Sequence, residues 1–505
     1  MINLDPRAPA TPILRGRNES CWIDGAPEIA FPVLRGSMGT DVVIVGGGIV
    51  GLSAAMALRQ AGKSVAVIEA RRIGRQVTGR STAKVTTQHA LIYRRLIDQS
   101  GKEIAQAYAD TNRQAVGQIR TWIETLRIAC DYARKSAFAY AVDAAWKDAI
   151  AAEVEAARML GFDAHLRESA PLPFPTAAAV EFPDQAQFNP VHYLLGLAQA
   201  LRGMGGQIFE QSRALNIGPD AHNAGSWRVE TDAGAVTAPH LLVATNMTVK
   251  SPVGYSNRTQ PRCHTAMAFR SSSPNAVDGM FIGVDEPTHS IRTARDRQGP
   301  LLVVLGPKFN TGQDGDVARR FLELDRWAHE NLPVGEPVWR WCNEDYDTAD
   351  HMPFVGMPDP EKSPGFHVAT GFNAWGISNG TAAGLMVAET IEKGAHRWAS
   401  LFDPKRPSPE DFHQSGDTQS RVSGYAAIPP GGAGIVGDGE EKIAAWRDEG
   451  GTLHCFSAAC THKGCTVTWN NADRTWDCPC HGSVFSAYGE VIHGPARQPL
   501  KRVRA

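Results

Sequence analysis

Buried strands and helical stretches alternate along the first four hundred residues, and short strands alone fill the last eighty. Asp41-Val-Val-Ile-Val-Gly46-Gly-Gly48-Ile-Val-Gly51 reads as an apolar strand, a glycine turn and the start of an alanine-rich helix. Ser64-Val-Ala-Val-Ile-Glu69 and His240-Leu-Leu-Val-Ala-Thr-Asn246 read as further buried strands. Helical spacing of Ile119, Trp122, Ile123 and Leu126 recurs from Ala149 to Leu160, stopped by Gly161 and the breaker Pro171-Leu-Pro173-Phe-Pro175. Met267-Ala-Phe-Arg270, Phe281-Ile-Gly and Leu301-Leu-Val-Val-Leu are strand-like. Residues 403–420 are polar and Pro-rich, as in a linker. From 421 onward, strands separated by Gly/Asp turns predict a small antiparallel β domain. No internal repeat is visible.

The first turn carries chemistry. Gly46 permits the tight bend, Gly48 lets backbone amides approach a pyrophosphate at the helix N-terminus, and Gly51 lets helix and sheet pack closely. Glu69 ends the next strand, eighteen residues after Gly51, where it can accept from ribose hydroxyls. Gly432-Ala-Gly434-Ile-Val-Gly437 has the same spacing but follows Pro429-Pro430 and precedes Asp438-Gly-Glu-Glu, so it reads as a loop and edge strand. With no second dinucleotide motif, a nicotinamide-driven reductase is disfavoured.

The chain has 505 residues, 51 basic and 53 acidic, for a net charge of −2. Nothing points to nucleic acid or a polybasic membrane patch. Five of the nine cysteines fall between Cys455 and Cys480, and the rest are scattered, as in a reduced cytoplasmic protein. The N-terminal MINLDPRAPATPILRG lacks the apolar core of a signal peptide, and no transmembrane segment is expected.

Cys460-Thr-His462-Lys-Gly-Cys465 and Cys478-Pro-Cys480-His481-Gly follow one another with fifteen residues between His462 and Cys478. Tetrahedral zinc is the competing reading, but each half holds both Cys and His, unlike a zinc finger. The segment resembles the Rieske proteins of cytochrome bc-type complexes. That resemblance implies a 2Fe–2S cluster held by Cys460, Cys478, His462 and His481, with Cys465 and Cys480 joined as a disulfide between the loops. It also implies that Ser483 hydrogen-bonds a cluster sulfur and that Gly494-Pro495-Ala496 covers the cluster. High-potential relatives carry Tyr where this chain has Phe485.

Between residues 38 and 400 the chain resembles the D-amino-acid-oxidase-like FAD flavoproteins, which include glycine oxidase and D-amino-acid dehydrogenase. The likeness rests on the loop RRIGRQVTGRSTAKVTT (71–87), on Phe182 to Pro190, on Asp350-x-x-Pro353-x-x-Gly356, and on Gly371-Phe-Asn-Ala-Trp375-Gly376. It implies an α/β FAD-binding Rossmann-like domain with an interleaved α+β substrate domain, followed by the all-β Rieske domain. FAD contacts are expected from Gly46, Gly48, Gly51, Glu69, Arg71, Ser81, Thr82, Gly371, Trp375 and Gly376. The loop departs from the family at Arg80-Ser-Thr-Ala-Lys84; His89 and Cys263 are candidate attachment points but read better as structural residues. Arg292, Tyr346 and Trp375 are the candidate substrate residues, with Arg340 as a further one. The expected divisions are an N-terminal arm (1–37), an oxidoreductase domain (38–402), a linker (403–420) and the Rieske domain (421–505). Within the oxidoreductase domain, 38–110, 185–255 and 345–400 are nucleotide-binding, and 111–184 and 256–344 are substrate-binding.

The expected reaction oxidises an amine or amino acid at a C–N bond and passes electrons from FAD to the cluster, then to an external protein or quinone acceptor. The alternative is an electron-transfer component feeding a separate oxygenase or respiratory carrier. With one hydrogen bond fewer at Phe485, the cluster midpoint should lie below those of respiratory Rieske centres, within the range of about −150 to +300 mV spanned by such sites. The outer nitrogens of His462 and His481 should titrate with oxidation state. Voltammetry should therefore show a pH-dependent midpoint, and a flat trace from about pH 6 to 10 would contradict it.

Overall fold

The computed structural model describes residues 13–255, 257–273, 276–407, 412 and 421–504. The first part of the expected arm and most of the expected linker lie outside the described residues. The apolar run after Asp41 forms β1 (Val42–Val45), buried at every position, and passes through the glycine turn into α1 (Ile49–Gln60). The chain returns as β2 (Val65–Ile68), and later as β3 (Gln207–Phe209) and β4 (His240–Val243). Three long strands follow: β5 (Thr259–Ser271), β6 (Gly299–Asn310) and β7 (Val334–Thr348). β8 (Phe354–Gly356), β9 (Phe366–Thr370) and α2 (Gly376–Lys393) complete this part.

β8, β9, β4, β1, β2 and β3 lie side by side in a six-stranded sheet, parallel except for the β8–β9 pair. Strands covered on both faces read as unbroken apolar runs, which is why β1, β2 and β4 are Val, Ile and Leu almost throughout. α1 and α2 pack so closely that a Cβ on Gly384 would stand 2.7 Å from Val50 O and 2.9 Å from Ala54 N.

β7, β5 and β6 are neighbours in a ten-stranded sheet that continues through Ser290–Asp296, Met280–Gly283, Ala133–Ala141 and Ala178–Gln187. The divisions expected at 184/185 and 344/345 fall inside continuous strands of this sheet, Ala178–Gln187 and β7. Those strands carry the chain from one sheet's surroundings to the other's without a turn, so composition offers no break there.

Residues 421–504 form a three-stranded and a four-stranded antiparallel sheet around Trp446, Phe456, Trp469, Trp476 and Phe485. The run Gly432 to Gly437 holds the edge strand Ala433–Val436. Among the described residues no helix is long and apolar enough to cross a membrane.

This β region is pressed onto the ten-stranded sheet and its flank. Arg340 donates to Ala472 O at 3.1 Å, Ala318 N to Asn471 Oδ1 at 2.9 Å, and Arg497 to Leu215 O at 2.8 Å. At Gly312, with φ +66°, a Cβ would lie 2.9 Å from Pro479 N and 3.0 Å from Asp477 O. Gly312→Ala should therefore lower stability by about 1–3 kcal/mol and speed proteolysis between the two parts. Wild-type urea and proteolysis profiles would contradict so tight a fit.

Candidate functional site

A cavity of about 510 Å³ lies between the two large sheets. The β1–α1 turn forms one wall. Gly46, at φ +116°, has room for no side chain, since a Cβ would stand 2.4 Å from Ala244 O. Glu69 is half-buried just past the end of β2, where Oε2 accepts from Gly47 N and Oε1 from Arg71 N, both at 2.8 Å. Burial raises its carboxyl above the usual range, opposed by those two bonds and by the Arg213 charge. Neither Gly48 before α1 nor Trp375 before α2 caps its helix with its own side chain, although Thr78 Oγ1 accepts from Ile49 N at 3.2 Å, and both helix starts line the cavity. Helix-start amides and a positive dipole end suit anionic groups. The turn before α2 is held left-handed at Asn373 and Ala374 (φ 54° and 65°) by bonds to the end of β7: Asn373 N to Tyr346 O, and Ala374 N to Asp345 Oδ2. Gly371 fits because a Cβ would meet Thr348 Cγ2 at 2.5 Å.

Arg71, Ser81, Thr82, Trp375 and Gly376 all line the cavity. Trp375 stacks on His89 with centroids 4.5 Å apart. Both His89 nitrogens are engaged, Nδ1 with Tyr108 Oη and Nε2 with Ser378 Oγ and Thr86 O, and burial pushes its pKa down to about 3. Cys263 is buried and does not line the cavity.

Arg292 departs from the expected substrate role. It does not line the cavity; its Nη1 donates to Thr82 O, Ala83 O and Phe188 O at 2.7, 2.9 and 3.1 Å, and its guanidinium lies over Trp22. A guanidinium that gives Nη1 to three carbonyls and Nε to Thr293 O at 2.8 Å braces the 82–83 loop from behind, away from the cavity. Arg340 is likewise turned to Ala472 O. Tyr346 does line the cavity, while its hydroxyl is engaged elsewhere. Its hydroxyl is directed to Glu344 Oε1 at 2.9 Å and His481 O at 3.1 Å, toward the Cys/His loops.

Those loops converge. The Cys460 and Cys478 thiols lie together, and with Ser483 beside it Cys460 has its pKa held down at about 7. The His462 and His481 rings cross at 89° with centroids 4.7 Å apart, and each Nδ1 is buried without a hydrogen-bond partner among the described residues. Two thiols and two orphaned imidazole nitrogens facing one place fit the donor set of a 2Fe–2S cluster. Cys465 and Cys480 form a disulfide between the loops. Ser483 Oγ accepts from Ala496 N at 3.1 Å, while Phe485 is buried with no hydroxyl to offer. Gly494 packs on the ligand loop, where a Cβ would stand 2.5 Å from Gly482 O.

One strand joins the two places. Asn343, Asp345 and Asp347 of β7 line the cavity. Glu344 and Tyr346, between them, meet the second loop so closely that a Cβ on Gly482 would be 2.4 Å from Tyr346 Oη and 2.5 Å from Glu344 Oε1. Alternate residues of a strand point to opposite faces. Ile492, His493, Gly494 and Arg497 close the same cavity from the β region. The sequence reading missed Asn343, Asp345 and Lys84. Polar residues at every second position of β7 were the available signal for the first two.

The family described as FAD dependent oxidoreductase (DAO) matches residues 41–390, and the Rieske [2Fe-2S] domain matches residues 423–504. YhfW of Bacillus subtilis (strain 168), named as a Rieske 2Fe-2S iron-sulfur protein, is 30% identical over 505 residues, covering 96% of this chain and 97% of its own. L-proline dehydrogenase from P. horikoshii superposes with a TM-score of 0.59 at 18% identity, covering 74% of this chain and 98% of that one. Glycine oxidase from Geobacillus kaustophilus gives 0.59 at 18%, covering 73% and 99%. These two likenesses show the fold.

Lys84 lies at the cavity with Nζ 2.6 Å from both Phe281 O and Ser290 Oγ. Burial, helped by the Arg292 charge, pushes its ammonium from 10.5 down to about 7. The folded state then disfavours the charged form. The penalty is complete below about pH 7 and fades as pH rises toward the unfolded value. Relative to Lys84→Met, the native protein should gain stability in urea unfolding from about pH 7 to 10. Parallel curves would contradict a depressed Lys84.

Proposed function

Because the chain belongs to the FAD dependent oxidoreductase (DAO) family and ends in a Rieske [2Fe-2S] domain, we propose that it oxidises an amine or amino acid at a C–N bond and delivers the electrons through its cluster to an external acceptor. Bound FAD supplies a two-electron acceptor for the substrate carbon, and the cluster supplies a one-electron carrier. The residues around the cavity fit that cofactor. The Gly46–Gly48 turn and the start of α1 would bind its pyrophosphate, Glu69 its ribose, and the Gly371–Gly376 turn with Trp375 would border its ring. Cys460, His462, Cys478 and His481 would hold the cluster.

The observation that carries the reading is the shared wall. β7 offers one face to the cavity and the other to the loop holding Cys478 and His481, and the β region itself closes the cavity. The buried side chains of Glu344 and Tyr346 fill the space between the two places. An exit of this kind favours a dehydrogenase over an enzyme whose reduced cofactor is reoxidised by oxygen. The external acceptor would be a protein or a quinone.

Anaerobic mixing of the holoenzyme with a panel of amines and amino acids tests the proposal. Bleaching of the flavin absorbance followed by the signal of the reduced cluster is the expected outcome. Bleaching only by a protein donor or NAD(P)H would overturn it in favour of an electron-transfer component serving another enzyme.

A further inference from the structure

On the reading above, recognition of the substrate still needs residues, and Arg292 is not one of them. The cavity face of β7 carries three oxygen-bearing side chains in a row: Asn343, Asp345 and Asp347. Their situations differ. Asp347 is paired, with Lys308 Nζ at 2.9 Å and Arg262 Nε at 3.4 Å. Asp345 is only 5% exposed, and while its Oδ2 accepts from Ala374 N at 2.6 Å, its Oδ1 is buried with no hydrogen-bond partner among the described residues. The Oδ1 of Asn343 is buried with no partner as well. Two orphaned acceptors, two residues apart on one strand face, are costly unless a ligand brings donors to them.

The lysines at this side of the cavity are already engaged, and Arg95 has a neutral partner. Lys308 is held by Asp347, Lys84 by Phe281 O and Ser290 Oγ, and Arg95 Nη1 lies 3.1 Å from His351 Nε2. What the wall offers is hydrogen-bond acceptance and negative charge, the complement of an ammonium group.

We propose that Asp345 and Asn343 bind the substrate nitrogen as an ammonium, so that the substrate is a primary or secondary amine recognised through its positive charge, and that Asp345 then takes one proton from it. In that transfer an N–H bond breaks and an O–H bond forms on Asp345 Oδ1. The ammonium becomes a neutral amine, the carboxylate becomes a carboxylic acid, and the total charge is unchanged. A neutral nitrogen is the form from which an adjacent C–H can be oxidised. Burial supports the role independently of the geometry, since it pushes the Asp345 carboxyl up to about 7, a value suited to exchanging a proton near neutrality.

The proposal rests on the proposed function, and its test is separable from it because it requires no turnover. tert-Butylamine has no hydrogen on the carbon next to nitrogen and cannot be oxidised there; pivalate has the same shape and the opposite charge. Both are titrated into oxidised holoenzyme by calorimetry and by perturbation of the flavin spectrum. Native protein should bind tert-butylammonium more tightly than pivalate. Asp345→Asn, which keeps an oxygen for Ala374 N, should weaken the amine by at least about tenfold, as expected for loss of a charge-assisted bond. Asp345→Glu should restore part of it, and Asn343→Leu should weaken it less. Retained flavin and cluster spectra report intact folding, and if Asp345→Asn does not hold FAD, Asp345→Glu and Asn343→Leu decide. Tighter binding of pivalate, no binding of either probe by native protein, or amine affinity indifferent to Asp345 and Asn343 would overturn the proposal. If no amine bleaches the flavin, it is the proposed function that fails.

Discussion

The structure turns on the two-faced use of β7. A strand sends successive side chains to opposite sides. Here that geometric necessity sets Asn343, Asp345 and Asp347 against a cofactor-sized cavity and Glu344 and Tyr346 against the loop that bears Cys478 and His481. One layer of backbone separates the two places. Docking must be close for this to hold, and positive-φ glycines at Gly312 and Gly482 provide the closeness, because any side chain at either position would collide with the facing element.

Around that wall, the remaining polar groups act mainly as framework. Arg292 braces the loop at Thr82 and Ala83, Arg340 ties β7 to Ala472, and Asn373 with Asp345 hold the left-handed turn that starts α2. Groups bonded to several carbonyls brace an architecture, whereas unpartnered buried atoms gain meaning as a binding place only where several converge or face a cavity. That distinction separates the paired Nδ1 atoms of His462 and His481, and the cavity-facing oxygens of Asn343 and Asp345, from the carbonyl-bound guanidinium of Arg292.

Features built from neighbours in sequence were legible in the sequence. The glycine turn with Glu69 and the paired Cys/His loops each bring their chemistry together within a few tens of residues, and the family assignment followed from them. Features that depend on distant packing were not. Arg292 and Tyr346 were plausible substrate ligands by residue type, but only the fold reveals that the first faces Thr82 and the second faces His481. The wall was hidden for a similar reason: a division drawn at 344/345 cut through a strand whose alternation mattered, and the polar row Asn343, Asp345, Asp347 looks like a surface until the opposite sheet covers it.

A flash experiment tests the shared wall most directly. The flavin of the holoenzyme is photoreduced in a pulse, and the appearance of the reduced cluster is followed over a wide range of protein concentration. A rate independent of concentration is predicted, because the wall lies within a single chain. A rate proportional to concentration would mean that electrons cross between molecules, and would contradict the account.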